Sequence, residues 1–238
     1  MGSFFDNSKL TLQKIVTVIY YWAHEEPQRR LIHECEISKN TISNFCNLLR
    51  GICTDYLVQS PHMLGGFDDD GNSVIVEIDE SKYFHRKYHR GAWREGHWVF
   101  GGIERISRKC FMVMVPDRRE ATLLPIIKDI ILPGTTIMSD GWSAYRNIST
   151  MYDGIYLHGV IVHQRNFVHP IHSEIHTQNV ENMWMRAKRK LRQGFGTSPG
   201  MFKSYLDEFM WRQRIQKNPF SELLVAIHRN FLYSLNDL

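Results

Sequence analysis

Apolar residues recur at helical spacing through the first quarter of the chain and then give way to short β-branched runs, and that change divides the sequence. Over 8–57 the pattern is helical. Leu12, Ile15, Val16, Ile19 and Ala23 form one stripe. After Pro27 a short helical stretch is expected around Arg29–Cys35, and Ser38-Lys39-Asn40-Thr41 starts another helix. Ile42, Phe45, Cys46, Leu49, Cys53 and Tyr56 line one side of it, and Lys39, Asn40, Ser43, Asn44, Asn47 and Arg50 the other. A short helix, a turn and a helix with an amide-rich outer face is the pattern of a helix-turn-helix. A helical bundle that touches no DNA fits the same residues.

Pro61 to Asn72 is rich in turn formers and reads as a linker. Beyond it, Ser73–Asp79, His97–Arg105 and Cys110–Val115 read as strands, the last two joined as a hairpin. Arg119–Ile131 is an amphipathic helix stopped by Pro133-Gly134, and Thr135–Ser139 is a fourth strand running into Asp140-Gly141. Residues 147–175 are irregular apart from a short strand near Gly159–Val162. Helices follow over Thr177–Leu191, Met201–Gln213 and Phe220–Leu235. The order predicts an α/β class, a mixed sheet with flanking helices, behind a small all-α region. The expected division is 1–60 helical, 61–72 linker, 73–215 sheet domain and 216–238 a terminal helix.

Composition narrows this only modestly. At 238 residues with 43% apolar and 23% charged, the chain is long enough for a real core and ordinary for a globular protein. Ile15–Ala23, the longest apolar stretch, falls short of a membrane span, and Met1–Asp6 lacks a basic leader, so neither a membrane nor a secretory signal is expected. Cys35, Cys46, Cys53 and Cys110 form no C-x-x-C pair and read as reduced, buried thiols of an intracellular protein. The net charge is only +4, but basic residues cluster at Lys82, Arg86, Lys87, Arg90 and Arg94 and again at Arg186, Lys188, Arg189, Lys190 and Arg192. Such clusters make local positive potential suited to a phosphate backbone, although a solvated helix face has the same composition.

Three acids fall where chemistry would use them. Asp79 and Asp140 are expected at strand ends, where loops open into a cleft, and Glu181 in the first turns of a helix. Acids gathered in one cleft repel, and a divalent cation removes that penalty. Two such ions can activate a nucleophile and stabilise a leaving oxygen in phosphoryl transfer. The same residues also suit an Asp-Gly turn, a strand-end cap and helix-dipole compensation. Glu77, Glu80, Asp153 and Glu174 are rival acids that spacing leaves open. His158, His163, His169, His172 and His176 could instead form a zinc site. No Gly-x-Ser-x-Gly elbow, Gly-x-Gly-x-x-Gly loop or Walker-type loop is present.

The motifs Val76-Glu77-Ile78-Asp79-Glu80-Ser81-Lys82, Gly96-His97-Trp98-Val99-Phe100-Gly101-Gly102, Ser139-Asp140-Gly141-Trp142 and Thr177-Gln178-Asn179-Val180-Glu181-Asn182 together resemble the catalytic domain of Merlin-type DDE transposases, eukaryotic relatives of bacterial insertion-sequence transposases. The resemblance spans roughly 8–214. It implies an RNase H-like fold, a triad of Asp79, Asp140 and Glu181 that also binds metal, and Mg²⁺ or Mn²⁺ as the cofactor, as two ions. It further implies cleavage of DNA at terminal inverted repeats, joining of the 3′-hydroxyl to target DNA, homo-oligomers, and a nuclear location if the host is eukaryotic. DNA contacts are expected from Lys39, Asn40, Ser43, Asn44, Arg50, Arg86, Lys87, Arg90, Arg94, Lys188, Arg189 and Lys190. Two departures stand out. No zinc ribbon precedes the helical region, as in a truncated chain, and His169 occupies a place where Asp is usual. A DNA-binding protein that has lost catalysis, and an RNase H-like nuclease, are the alternatives.

Overall fold

A computed structural model describes residues 9–84, 96–161, 176–193, 199–215 and 217–236. The chain forms two compact units, one of residues 62–203 and one of 1–61 with 204–238.

The helical unit contains α1 (Leu12–Ala23), α2 (Gln28–Cys35), α3 (Lys39–Gln59), most of α6 (Phe202–Arg214) and α7 (Pro219–Asn236). Thr11 caps α1 through Lys14 N, and Ser38 caps α3 through Thr41 N. Between α2 and α3 the chain reverses at Glu36, which is left-handed at φ 50°. Ile15, Ile19, Leu31, Ile42, Cys46, Leu49, Trp211, Leu223 and Ile227 share one buried core. The expected boundary at 215 is therefore displaced. Trp211 is fully buried among the N-terminal helices, and Thr54 Oγ1 donates to Asp207 Oδ2 at 2.8 Å. Arg212 donates to the carbonyls of Trp22 and Ala23 at 2.9 and 2.8 Å, closing the C-terminal end of α1 with a cation.

The other unit is built on a five-stranded sheet in the order β4-β3-β2-β6-β7. Its strands are β2 (Ile75–Tyr83), β3 (His97–Glu104), β4 (Cys110–Val115), β6 (Thr136–Asp140) and β7 (Leu157–Ile161). β4, β3 and β2 are antiparallel neighbours, whereas β6 pairs parallel to β2 and β7 parallel to β6. This is the mixed sheet that the element order implied. Helix α4 (Glu120–Ile130) covers one face, where Leu123 and Ile127 pack with Val76, Ile78, Phe100 and Ile137. Helix α5 (Gln178–Gln193) packs on β2 and β3.

Two local expectations change. The linker contains a short strand, β1 (Leu64–Gly65), paired with β5 (Ile131–Leu132), which leads directly out of α4. Gly65 permits the pairing because its φ is +83° and a Cβ there would collide with Thr135. Asp79 does not end its strand: β2 continues to Tyr83 because Ser81, Lys82 and Tyr83 still pair with β3. All four cysteines are free and buried. Among the described residues no helix is long and apolar enough to cross a membrane.

Candidate active site

The site is built where β2 parts from β6. Their parallel pairing ends at Glu77 and Met138, so Asp79 and Asp140 each lie two positions beyond the last pair. The two strands are neighbours in the sheet, and Asp140 acts electrostatically on Asp79. Burial, then the negative charges of Glu80 and Asp140, push the Asp79 carboxyl up to about 7, against hydrogen bonds that oppose the shift. One of these comes from Trp184, whose Nε1 donates to Asp79 Oδ2 at 3.0 Å. Asp140 Oδ1 accepts from the backbone N–H of Trp142 at 3.0 Å, an Asx-type turn that aims the carboxylate.

Helix α5 meshes with one face of β2. Successive same-face positions on a strand are about 6.6 Å apart, and four helical residues rise about 6.0 Å. Glu77 accordingly meets Asn179 and Val180, Asp79 meets Trp184, and Ser81 Oγ accepts from Lys188 Nζ at 2.5 Å. Gly101 pairs with Asp79 across the sheet, and a Cβ there would lie 2.6 Å from the Trp184 ring. The missing side chain is the room into which the indole reaches to bond Asp79.

Glu77, one of the rival acids, has a different task. Its carboxylate is fully buried and accepts from the backbone N–H groups of Asn179 at 2.8 Å and Val180 at 3.1 Å. Those are the second and third residues of α5, the donors that an N-cap side chain would normally satisfy. Glu77 thus caps the helix from the neighbouring strand. Arg105 Nε at 2.7 Å and Asn179 Nδ2 at 2.7 Å also donate to the Glu77 carboxylate. Strand alternation of Glu77, Asp79 and Ser81 hinted at a shared face, but nothing local to the motif revealed the helix end it serves.

Glu181 lies on α5 one turn before Trp184, and its Oε1 accepts from Thr177 Oγ1 at 3.2 Å. Among the described residues no group of three His, Cys, Asp or Glu side chains is placed to hold a metal ion. The structure thus brings Asp79 and Asp140 together and does not gather Glu181 with them into such a group. The donor chemistry nevertheless suits Mg²⁺ or Mn²⁺. Asp79 and Asp140 offer hard carboxylate oxygens, and Asp79 is desolvated beside like charges. Glu80 is raised chiefly by burial, and its Oε1 is buried without a hydrogen-bond partner.

The remaining expected residues separate. Lys39, Asn40 and Asn44 are exposed on α3 and Ser43 is half-buried, but Arg50 is a correction. It is 4% exposed, with its guanidinium stacked 4.2 Å from the Tyr205 ring centroid, so it belongs to the core side of α3. Arg189 is exposed and Lys190 half-buried on α5, while Lys188 is held by Ser81 and lies 5.0 Å over the Tyr83 ring. Arg86, Lys87, Arg90 and Arg94 fall outside the described residues, as do Glu174, His163, His169 and His172. Of the two described members of the histidine group, His158 Nε2 bonds Ser139 Oγ at 2.8 Å and His176 Nδ1 lies 3.2 Å from Glu77.

Comparison with known proteins identifies several similar chains. A transposase-like protein of Haemophilus influenzae is 32% identical over 104 residues, covering 44% of this chain and 80% of the relative. Among solved structures, the HTLV-2 integrase catalytic core domain in complex with magnesium is similar with a TM-score of 0.36 and 13% identity, over 58% of this chain and 83% of that one. The BIV integrase catalytic core domain has a TM-score of 0.37 and 11% identity, over 66% and 97% of the two chains. Residues 70–214, more than half of the chain, match the model of the ISXO2-like transposase domain, and the chain belongs to that family.

Proposed function

We propose that this chain is a Merlin-type DDE transposase that cleaves DNA at the ends of an element and joins the freed 3′-hydroxyl to target DNA. Asp79, Asp140 and Glu181 are its working carboxylates. The observation that carries this reading is the Asp79–Asp140 pair. Two acids meet where parallel strands part, and one is raised to about 7 by burial and by its neighbours. A protein tolerates such a pair at a cost in stability, and a divalent cation relieves it.

Asp79 and Asp140 would hold Mg²⁺ or Mn²⁺, with Glu181 supplying a further oxygen from α5. When bound, such ions supply Lewis-acid activation of the attacking oxygen and neutralise charge on the leaving one. Trp184 orients Asp79 through its indole N–H, and the Trp142 amide orients Asp140. Glu77 sets the position of α5 and hence of Glu181. Exposed Lys39, Asn40, Asn44 and Arg189, with Ser43 and Lys190, would track the DNA backbone, the four residues on α3 as part of a helix-turn-helix. Cleavage at two ends calls for a homo-oligomer.

The test is Mg²⁺-dependent nicking of a duplex carrying the terminal repeat by the wild type and Asp79→Ala. Activity in the wild type and its loss in the variant are expected; equal activity in both removes the assignment. The Thr177 bond to Glu181 favours a second reading, a transposase-derived protein that binds DNA without cutting it. That protein would bind duplex with steep salt dependence yet cleave nothing in either Mg²⁺ or Mn²⁺.

A further inference from the structure

A guanidinium near the acidic pair lies against two indoles and has no acceptor among the described residues. Arg118 lies in the loop between β4 and α4, and its guanidinium carbon is 4.2 Å from the Trp98 ring centroid and 4.4 Å from that of Trp142. The two indoles hold it between them. Trp98 belongs to β3, and Trp142 follows Asp140 directly after Gly141. Trp142 Nε1 donates to the Arg118 carbonyl at 3.1 Å, while its backbone N–H donates to Asp140 Oδ1 at 3.0 Å. Arg118 is thereby latched to the residue that positions Asp140.

Its neighbour shows what an occupied arginine looks like here. Arg119 bonds Asp117 through Nε at 2.8 Å and Nη2 at 2.5 Å. Arg118, half-buried, makes no guanidinium hydrogen bond and no ion pair among the described residues. Stacking uses the faces of the planar group and leaves its N–H edge, the part that matches two oxygens of a phosphate. Glu80 feels its charge but does not bond it. Lys82 Nζ, 5.4 Å from the Trp98 centroid, adds a second cation on the same indole.

We propose that Arg118, clamped between Trp98 and Trp142, is a phosphodiester-binding site that holds the DNA strand beside the Asp79–Asp140 pair. The site deepens the transposase reading and rests on it. A polyanion approaching clustered carboxylates is repelled, and a fixed cation next to Asp140 offsets that repulsion. The clamp also restricts side-chain motion before the DNA arrives, so less freedom is lost on binding.

The experiment uses the full chain and a short labelled DNA duplex of arbitrary sequence, in chelator, with affinity measured across a salt series. Arg118→Gln should bind about tenfold more weakly, with the slope of log affinity against log salt shallower by about one. Arg118→Lys should keep the slope but lose several-fold in affinity, because an ammonium offers neither the planar fork nor the stack. Asp140→Asn, which removes a repelling charge, should bind at least as well as the wild type. If both Arg118 variants match the wild type in affinity and slope, the site is wrong while the transposase reading stands. An equal loss in Arg118→Lys and Arg118→Gln, with melting temperatures below the wild type, would mean a packing role and would also overturn it. Absence of salt-dependent DNA binding by the wild type would remove the transposase reading and this site together.

Discussion

Replacing Glu77 tests the construction of the site without touching the acids assigned to chemistry. Glu77→Gln keeps the shape of the side chain but exchanges one acceptor for an NH₂ group. In the wild type Oε1 takes Arg105 Nε and Asn179 Nδ2, while Oε2 takes the backbone N–H groups of Asn179 and Val180. Whichever way the amide turns, a donor confronts a pair of donors in a position with no exposure. Leaving two buried donors unmet at about 1–1.5 kcal/mol each gives a loss of about 3 kcal/mol. Glu77→Ala also strands the Arg105 charge, 14% exposed, which places it at about 3–5 kcal/mol. For a unit of this size a loss of 3 kcal/mol lowers the melting temperature by roughly 6–12 °C. The assay is thermal melting followed by circular dichroism, with Mg²⁺-dependent strand cleavage measured well below the lowered transition. Cleavage should fall while duplex affinity holds, since α5 carries Glu181 and Trp184 and is no longer pinned. A Gln variant that melts within about 2 °C of the wild type would refute the capping argument.

Other perturbations read other parts of the structure. For Asp79→Asn the sign follows from the raised carboxyl. The folded chain keeps a proton at Asp79 that the unfolded chain releases, so this group's stabilisation is full below the ordinary value of 3.8 and is lost as pH rises through about 7. The metal-free variant should therefore gain stability over the wild type with rising pH, by at most about 4 kcal/mol at pH 8, in melts compared at pH 5 and pH 8. Mg²⁺ in excess should raise the melting temperature of the wild type but not of Asp79→Asn; an equal rise in both would place the ion elsewhere. Gly101→Ala should cost about 1–3 kcal/mol by overpacking against Trp184, a loss that denaturant unfolding would register and that Trp184→Leu should partly relieve. Arg212→Ala removes the bonds to Trp22 O and Ala23 O and the 2.8 Å pair with Glu208, and should destabilise the helical unit by about 2–4 kcal/mol in the same assay.

Much of the sheet was readable in the chain because its residues are locally consistent. Val76 and Ile78 alternate with Glu77 and Asp79, and Cys110–Val115 is continuously apolar in the way a buried strand requires. The end of β2 is hard to read because Glu80-Ser81-Lys82 looks like solvent-facing chain; only pairing with Phe100, Val99 and Trp98 keeps it extended. β1 was hidden among turn formers, since its partner Ile131–Leu132 is distant in sequence. Trp211 illustrates the same limit at the domain level. Its helix reads as the end of the sheet domain until its burial beside Ile15 and Leu49 is seen. Arg50 was placed on the polar side of α3 by its chemistry, but a long side chain can lay its guanidinium over Tyr205 and disappear from the surface. Asp79 and Asp140 are candidates in the sequence because each falls near a strand end, whereas the Trp98–Arg118–Trp142 cluster joins three segments that no sequence spacing connects.

The difference between two acids on one strand face explains which of them the fold leaves uncompensated. Glu77 and Asp79 are separated by a single residue and both look toward α5, so burial alone does not distinguish them. Glu77 meets the positive end of the helix and the Arg105 guanidinium, so its charge is neutralised within the fold. One turn further along α5 the helix offers Asp79 only a neutral indole N–H, and the sheet adds Glu80 and Asp140. A slip of β2 by one residue would exchange the two faces, sending Ile78 to α5 and Asp79 into the layer of Leu123 and Ile127. The apolar face that stabilises the sheet therefore also fixes which carboxylate stays uncompensated. That separation lets one short motif contain both a structural anion and an acid whose charge the fold leaves uncompensated.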